Sequence, residues 1–389
     1  MKPVYFDNAA TSWPKPPEMM EAMVRFNESI GANPGRSGHR LSIEAARVVY
    51  EARECAARII GSPDPLSISF AKNATEAINC VLLGLLKAGD HVVTSGMEHN
   101  SVMRPLRFLE RQGVGLSIAP CSPAGVLDPD DAMRAVKGNT KVIVVTHASN
   151  VTGTLLPLDD LARIARERGI VFVVDASQTA GSIPLDVVRT GIDVLCFTGH
   201  KSLLGPQGTG GFYIRKGLEE SVSPLMRGGT GSASEFEEQP DFLPDRFESG
   251  TPNAIGLAGL AAGIRFVLGL GVEAIREKEA HLTRLFLEGM AGMPGTRLYG
   301  PQNVRQRTAV VSFNIVGMSP SEVAFELDEQ FAVLSRPGLH CAPAAHRTIG
   351  TFPEGTVRFS FGYSTTEDEV RRGIEAVAHI SAAYHKRTL

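Results

Sequence analysis

The chain has 389 residues, of which 43% are apolar and 21% charged, with a formal net charge of −3. That composition excludes a disordered chain, and its 40 glycines follow no collagen-like period. Its 39 Lys and Arg against 42 Asp and Glu are interspersed, so no nucleic-acid or anionic-membrane partner is expected.

The opening MKPVYFDNAATSW has an Asp and a Trp where a secretory signal needs an apolar run. No stretch approaches the ~18 apolar residues of a membrane span. Cys55, Cys80, Cys121, Cys196 and Cys341 are odd in number, scattered and never in a C-x-x-C pair. They predict neither a disulfide framework nor a structural metal, and they suit a reducing cytoplasm.

A helix is predicted in which Ala45, Val49, Ala52, Ala56 and Ile59 form one apolar stripe. Short β-branched runs then alternate with amphipathic stretches: LSISF (66–70), HVVTSG (91–96), KVIVVTHAS (141–149), IVFVVDAS (170–177), DVLCFTGHK (193–201) and GGFYIRK (210–216). Buried strands alternating with helices predict an α/β unit with a mostly parallel sheet. The segment 227–253 lacks periodicity and reads as a long loop, the kind that is usually functional or disordered. A long helical region over roughly 254–290 follows. TAVVSFNIV (308–316), SEVAFELDEQF (321–331), FAVLSR, TVRFSFG and a closing helix over 365–386 predict a smaller α+β domain.

Ligands of open α/β sheets sit beyond the carboxyl ends of the strands. Those ends carry Ala74-Thr75, Glu98-His99-Asn100, Asn150, Asp175 with Gln178, and Thr198 with His200 and Lys201. Asn73 and Glu76 have the spacing of a helix cap, and the same helix start can bind phosphate. Asp175 reads either as a turn residue or as a buried carboxylate that needs a cationic partner. Lys201, at a strand end among glycines, is a Schiff-base candidate because desolvation frees its amine. The run GPQGTGG lacks dinucleotide-site spacing. In Arg336-Pro-Gly-Leu-His-Cys341 the Arg and His would stabilise a thiolate on a loop. His340, Cys341 and His346 lack the further ligands of a metal site. Arg358, within an apolar strand, requires an anion: either a substrate carboxylate or an internal salt bridge.

Asp7-Asn-Ala-Ala-Thr11, Ala74-Thr75-Glu76, Glu98-His99-Asn100, Asn150-x-x-Gly153, Asp175-Ala-Ser-Gln178, Gly199-His200-Lys201, Gly250-Thr-Pro-Asn253 and Arg336-x-Gly-x-His-Cys341 occur in one order. That order resembles the cysteine desulfurases and selenocysteine lyases, which are class V aminotransferases of the fold type I pyridoxal-phosphate (PLP) enzymes. The resemblance implies a large domain with a seven-stranded, mostly parallel sheet and a smaller C-terminal α+β domain. It divides the chain into an arm (1–15) packing with the small domain, a PLP-binding domain (16–255) and a small domain (256–389) carrying the Cys loop.

The resemblance also implies roles. Lys201 would hold PLP covalently. His99 would stack on the ring and assist proton transfer, Asp175 would pair with the ring nitrogen, and Gln178 would bond the ring hydroxyl. Ala74, Thr75, Thr198 and His200 would hold the phosphate, joined by Thr251 from the other subunit of a homodimer. Asn150 and Arg358, with Arg336 and His340 nearby, would bind the substrate carboxylate, and Cys341 would be the nucleophile. The implied reaction releases L-alanine from L-cysteine or L-selenocysteine. The short stretch between Cys341 and the Arg358 strand resembles the branch that needs an acceptor protein or a small thiol. Pro337 and Leu339 depart from the residues of better-known members. The competing readings are an aminotransferase or epimerase of the same class, and a non-catalytic scaffold.

Overall fold

The β-branched runs form strands, and the stretches with helical period lie between them. The structure is a computed structural model that describes residues 2–35 and 37–388. Its first part runs β1 (Val4–Tyr5), α1 (Pro17–Ser29), α2 (Arg40–Ile59), β2 (Ile68–Ala71), α3 (Ala74–Leu85), β3 (His91–Ser95), α4 (Asn100–Arg111) and β4 (Gly115–Ala119). It continues through α5 (Pro129–Ala135), β5 (Thr140–Thr146), α6 (Leu158–Glu167), β6 (Val171–Asp175), α7 (Val187–Thr190), β7 (Val194–Thr198) and β8 (Gly210–Ile214). After a long connection come α8 (Ala254–Leu270), α9 (Val272–Met290), β9 (Thr296–Tyr299), β10 (Val310–Ile315), α10 (Pro320–Phe331), β11 (Val333–Leu334), β12 (Arg336–Gly338), α11 (Pro343–Thr348), β13 (Thr356–Ser360) and α12 (Glu367–Thr388).

Seven strands form one sheet in the order β2-β8-β7-β6-β5-β3-β4. Only β8 runs against its neighbours, so the other strands point their carboxyl ends to one edge. Successive residues feed opposite cores, as the strand period of 2 requires. Phe172, Val174, Leu195 and Phe197 pack on one side with α2, α6 and α8. Val173, Val194 and Cys196 pack on the other with α3 and α4. In α2 the predicted stripe is the packed face: Ala45, Ala52, Ala56 and Ile59 are buried and Val49 packs against them.

The long connection contains no helix or strand from 223 to 253, as its lack of periodicity predicts. It is pinned by one buried ion pair. Both Glu248 carboxylate oxygens accept from the Arg53 guanidinium, at 2.7 and 2.5 Å, and Glu248 Oε1 also accepts from the Phe70 N–H.

The region 254–290 is helical, as expected, with one break. Gly271, at φ +86°, breaks it into α8 and α9, which meet at 76°. Among the described residues no single helix is long and apolar enough to cross a membrane.

The C-terminal part forms an antiparallel sheet, β12-β13-β10-β9. The N-terminal arm belongs to this unit by contact, since β1 pairs with β11 in parallel. The Phe6 ring lies 4.8 Å from Phe359 and 5.1 Å from Phe361 between ring centroids, in a core shared with Phe286 and Phe313. The sequence reading did not find β4 and β9. Both are partly exposed edge strands without an apolar run.

Because Phe6 has no exposed surface, Phe6→Ala should cost about 3–5 kcal/mol through the cavity it leaves. Urea unfolding followed by circular dichroism would measure it; an unchanged midpoint would show that the arm is dispensable to this core.

Candidate active site

The carboxyl ends of β5, β6 and β7 and the first turns of α3 and α4 surround a cavity of about 210 Å³. Every site residue expected from the sequence lines it except Cys341 and Thr251.

Asp175 is the last residue of β6 and is nearly inaccessible. Its Oδ1 accepts from the Ser177 N–H at 2.9 Å and from the Ser177 hydroxyl at 2.5 Å. Among the described residues its Oδ2 has only a long contact, 3.5 Å, from the Ser101 hydroxyl. Lys201 follows β7 and turns into the same cavity. Burial lowers its pKa from the ordinary 10.5 to about 8; Asp175 opposes this, while Arg358 and Arg336 reinforce it. His99 caps α4, and its Nδ1 accepts from the Ser101 N–H at 3.0 Å. That bond leaves the ring hydrogen on Nε2 in the neutral tautomer. Burial, then Lys201, lowers the His99 pKa to about 4, so the ring is neutral at pH 7.

At the opposite wall, two buried polar atoms have no hydrogen-bond partner among the described residues: Thr198 Oγ1 and His200 Nδ1. Burial also holds His200 at about 4, hence neutral. Beside them is the start of α3. Asn73 caps that helix, accepting from the Glu76 N–H at 2.9 Å, while Glu76 reaches back to the Lys72 N–H at 2.6 Å. The capping reading and the open helix start are therefore compatible, because Ala74 and Thr75 still line the cavity. Gln178 donates to the Ala9 carbonyl at 3.0 Å, tying the arm to the site.

The small sheet closes the cavity with Arg336, His340 and Arg358. Arg358 has the internal ion pair that the sequence left open, 2.6 Å from Asp7 Oδ1, and it also donates to the Asn150 carbonyl at 3.0 Å. Its Nε is buried without a partner among the described residues. Asn150 in turn donates to the His340 carbonyl at 2.7 Å. His340 does not supply the positive charge expected beside Cys341. Burial holds it well below its usual pKa, and its Nε2 donates to the Arg336 carbonyl at 3.0 Å.

Cys341 is exposed and lines a second, outer cavity of about 520 Å³ with Arg104 and Phe108. The two cavities share Thr75, His99 and Ser101, so the thiol stands at the mouth of the inner one. Thr251 lies elsewhere, in a cavity formed with Phe70, Phe247 and Met226.

Several contributors had no role or partner in the sequence reading. Ser101 and Ser177 each lie two residues after the group they bond, a spacing typical of local side-chain–backbone turns. Asp7 was visible in the opening motif without a partner. Glu98 lies behind the site, its carboxylate accepting from the Ser95 hydroxyl and the Thr146 N–H, with its pKa raised by burial to about 8.

With this geometry in view, the family description Aminotransferase class-V matches residues 4–372. A probable cysteine desulfurase of Methanothermobacter thermautotrophicus is 36% identical over 374 residues, covering 95% of this chain and 92% of its own. One of Pyrococcus abyssi is 37% identical over 378 residues, covering 94% and 91%. Among solved structures, an apo cysteine desulfurase of Thermococcus onnurineus NA1 superposes with a TM-score of 0.92 at 36% identity, covering 98% of this chain and 95% of its own. The site is thus that of an enzyme built on the fold type I scaffold. The chain belongs to the class-V aminotransferase family, whose members use PLP.

The Lys201 amine should react as the free base with a half-point near pH 8 rather than 10.5. Trapping with a small aldehyde and cyanoborohydride, followed by peptide mapping, should give a rate at Lys201 that rises up to about pH 8 and levels above it. A rate still climbing at pH 10 would mean that the amine is solvated.

Proposed function

We propose that the chain is a PLP-dependent L-cysteine desulfurase, which moves the substrate's sulfur onto Cys341 and releases L-alanine. One arrangement carries this reading: Lys201 and Asp175 face a single cavity, and an exposed cysteine stands at its mouth.

The residues fit the cofactor. Lys201 would hold it covalently, Asp175 would bond its ring nitrogen through the less engaged Oδ2, and Gln178 would bond its hydroxyl. Thr198, His200 and the open start of α3 with Ala74 and Thr75 would hold its phosphate. A buried polar atom without a partner costs about 1–3 kcal/mol, so the orphaned Thr198 hydroxyl and His200 Nδ1 suit a ligand with several acceptor oxygens. When bound, PLP supplies an electron sink conjugated with the amino acid's Cα.

The chain's own groups do the rest. Arg358, Arg336 and Asn150, beside His340, would orient the substrate carboxylate. The Lys201 amine, with its pKa lowered to about 8, is suited to removing and returning a proton at Cα. Neutral His99, with its hydrogen on Nε2, would assist proton transfer. The Cys341 thiolate attacks the substrate sulfur, so the Sγ–S bond forms as the Cβ–S bond breaks and Cβ takes up a proton. The sum converts L-cysteine and the Cys341 thiol into L-alanine and a Cys341 persulfide, without an outside oxidant or reductant. The outer cavity then gives an acceptor protein or a small thiol access to that persulfide.

We read the chain as an arm (1–15), a large domain (16–255) and a small domain (256–389), working as a homodimer in the reducing cytoplasm. Thr251 lines a different cavity from that of its own chain's site, which supports a second copy as the one it serves.

The reading is tested by alanine formation from L-cysteine and L-selenocysteine with the PLP-loaded protein. Persulfide should map to Cys341. Cys341→Ala should lower alanine formation from L-cysteine by roughly 100-fold or more while the bound-PLP absorbance stays, and Lys201→Ala should abolish it. Keto-acid-dependent amino transfer that survives in Cys341→Ala would instead assign an aminotransferase. Thr198→Val removes an orphaned hydroxyl, so it should leave apo stability unchanged or higher and weaken PLP binding about tenfold, read by fluorescence titration.

A further inference from the structure

Beneath the Cys341 loop lies a chain of buried polar groups, of which His346 and Thr351 take no part in the reaction above. His346, on α11, has no exposed surface, and His340 and Thr351 are also buried. His340 Nε2 lies 3.0 Å from the Arg336 carbonyl. His340 Nδ1 lies 3.3 Å from His346 Nε2, and His346 Nδ1 lies 2.7 Å from Thr351 Oγ1.

One carbonyl fixes every hydrogen in this chain. A carbonyl can only accept, so His340 Nε2 carries a hydrogen. Burial, reinforced by Arg358, keeps His346 at about 4 and His340 well below its usual value, so both rings are neutral. A neutral His340 then accepts at Nδ1, His346 donates from Nε2, and the Thr351 hydroxyl donates to His346 Nδ1.

The chain supports an unfavourable backbone. His340 at φ +49° and Cys341 at φ +57° are consecutive left-handed residues, and neither is glycine. Such conformations persist only where the surroundings over-determine them. Asn150 and the Asn100 N–H hold the two carbonyls, at 2.7 and 2.8 Å. The His340 ring is held from below by His346.

We propose that His346 and Thr351 are positioning residues: by locking the His340 ring they hold the left-handed turn that keeps the Cys341 thiol at the boundary between the two cavities. The proposal rests on the reading of Cys341 as the sulfur-accepting nucleophile. It also removes His340 as a base for that thiol, because the ring's only hydrogen is committed to a carbonyl and its other nitrogen to His346.

The test uses the PLP-loaded enzyme and two pairs of variants. His346→Leu removes the donor, whereas His346→Gln retains an N–H at a similar distance from the backbone; Thr351→Val and Thr351→Ser form the second pair. Each is assayed for kcat and KM of alanine formation from L-cysteine and for the rate of Cys341 alkylation by iodoacetamide, read by peptide mapping. His346→Leu should lower kcat at least about tenfold with KM within about twofold, since a misdirected nucleophile leaves carboxylate binding intact. Its alkylation rate should change, and His346→Gln should restore both readouts to within about threefold of wild type. Thr351→Val should act in the same sense more weakly, and Thr351→Ser should restore function. Wild-type kcat and alkylation in both His346→Leu and Thr351→Val would overturn the proposal, as would equal losses in His346→Leu and His346→Gln. If His346→Leu fails to fold, the Thr351 pair decides. If the wild type itself forms no alanine, the desulfurase reading fails, while the alkylation rates still decide whether the chain positions Cys341.

Discussion

An amine and a carboxylate face one desolvated cavity, and the remaining chemistry depends on that juxtaposition. Adjacent parallel strands bring them there: Asp175 ends β6 in register with Cys196 of β7, and Lys201 follows five residues later. Burial alone would push the lysine toward neutrality. Asp175 holds part of the lysine's charge in place, so the amine's pKa stays at about 8 instead of falling further. Arg336 and Arg358 of the small sheet act in the opposite sense, which couples the amine's basicity to how the two sheets meet.

That meeting is built on residues 150–153. The Asn150 carbonyl accepts from Arg358, and the Val151 carbonyl accepts from the Ser312 hydroxyl at 2.6 Å. The Thr152 carbonyl accepts from Arg307 at 2.9 Å, and the Gly153 carbonyl from the Thr308 N–H at 2.8 Å. Gly153 has φ +75°, and a Cβ there would stand 2.7 Å from the Val310 carbonyl oxygen. Only glycine allows this approach. The Asn150-x-x-Gly153 spacing noted in the sequence thus has a physical basis: one residue reaches the site and the other lets the second sheet close over it.

Features that rest on local chemistry were legible in the sequence. Buried strands announced themselves as β-branched runs, the α2 stripe by its period, and the inner wall of the site by what stood at the strand ends. Features that depend on a distant partner were not. Asp7 reads as an ordinary acidic residue until β1 joins β11 and brings it to Arg358, 351 residues away. The break at Gly271 was hidden because both flanking segments favour helix. The pairing of His340 with a carbonyl reversed the expectation of a charged histidine beside Cys341. Two residues of the right type in sequence do not reveal which one is solvated.

On the proposed function, Cys341 must meet two demands made of a sulfur carrier. To take sulfur it must reach a substrate held by groups in the inner cavity. To pass sulfur on it must be open to a second molecule. A cysteine inside the cavity would be closed to that second molecule, and burial would also raise its pKa, as it does for Cys121, pushed to about 12. A cysteine on an unrestrained surface loop would meet the second and lose alignment. The left-handed turn at residues 340–341, clamped by Asn150 and Asn100, keeps the thiol on the wall of the outer cavity while its neighbour His340 lines the inner one. On that reading the left-handed backbone at these two residues serves the proposed function: an extended or helical backbone at the same point would send the thiol and the imidazole in other directions.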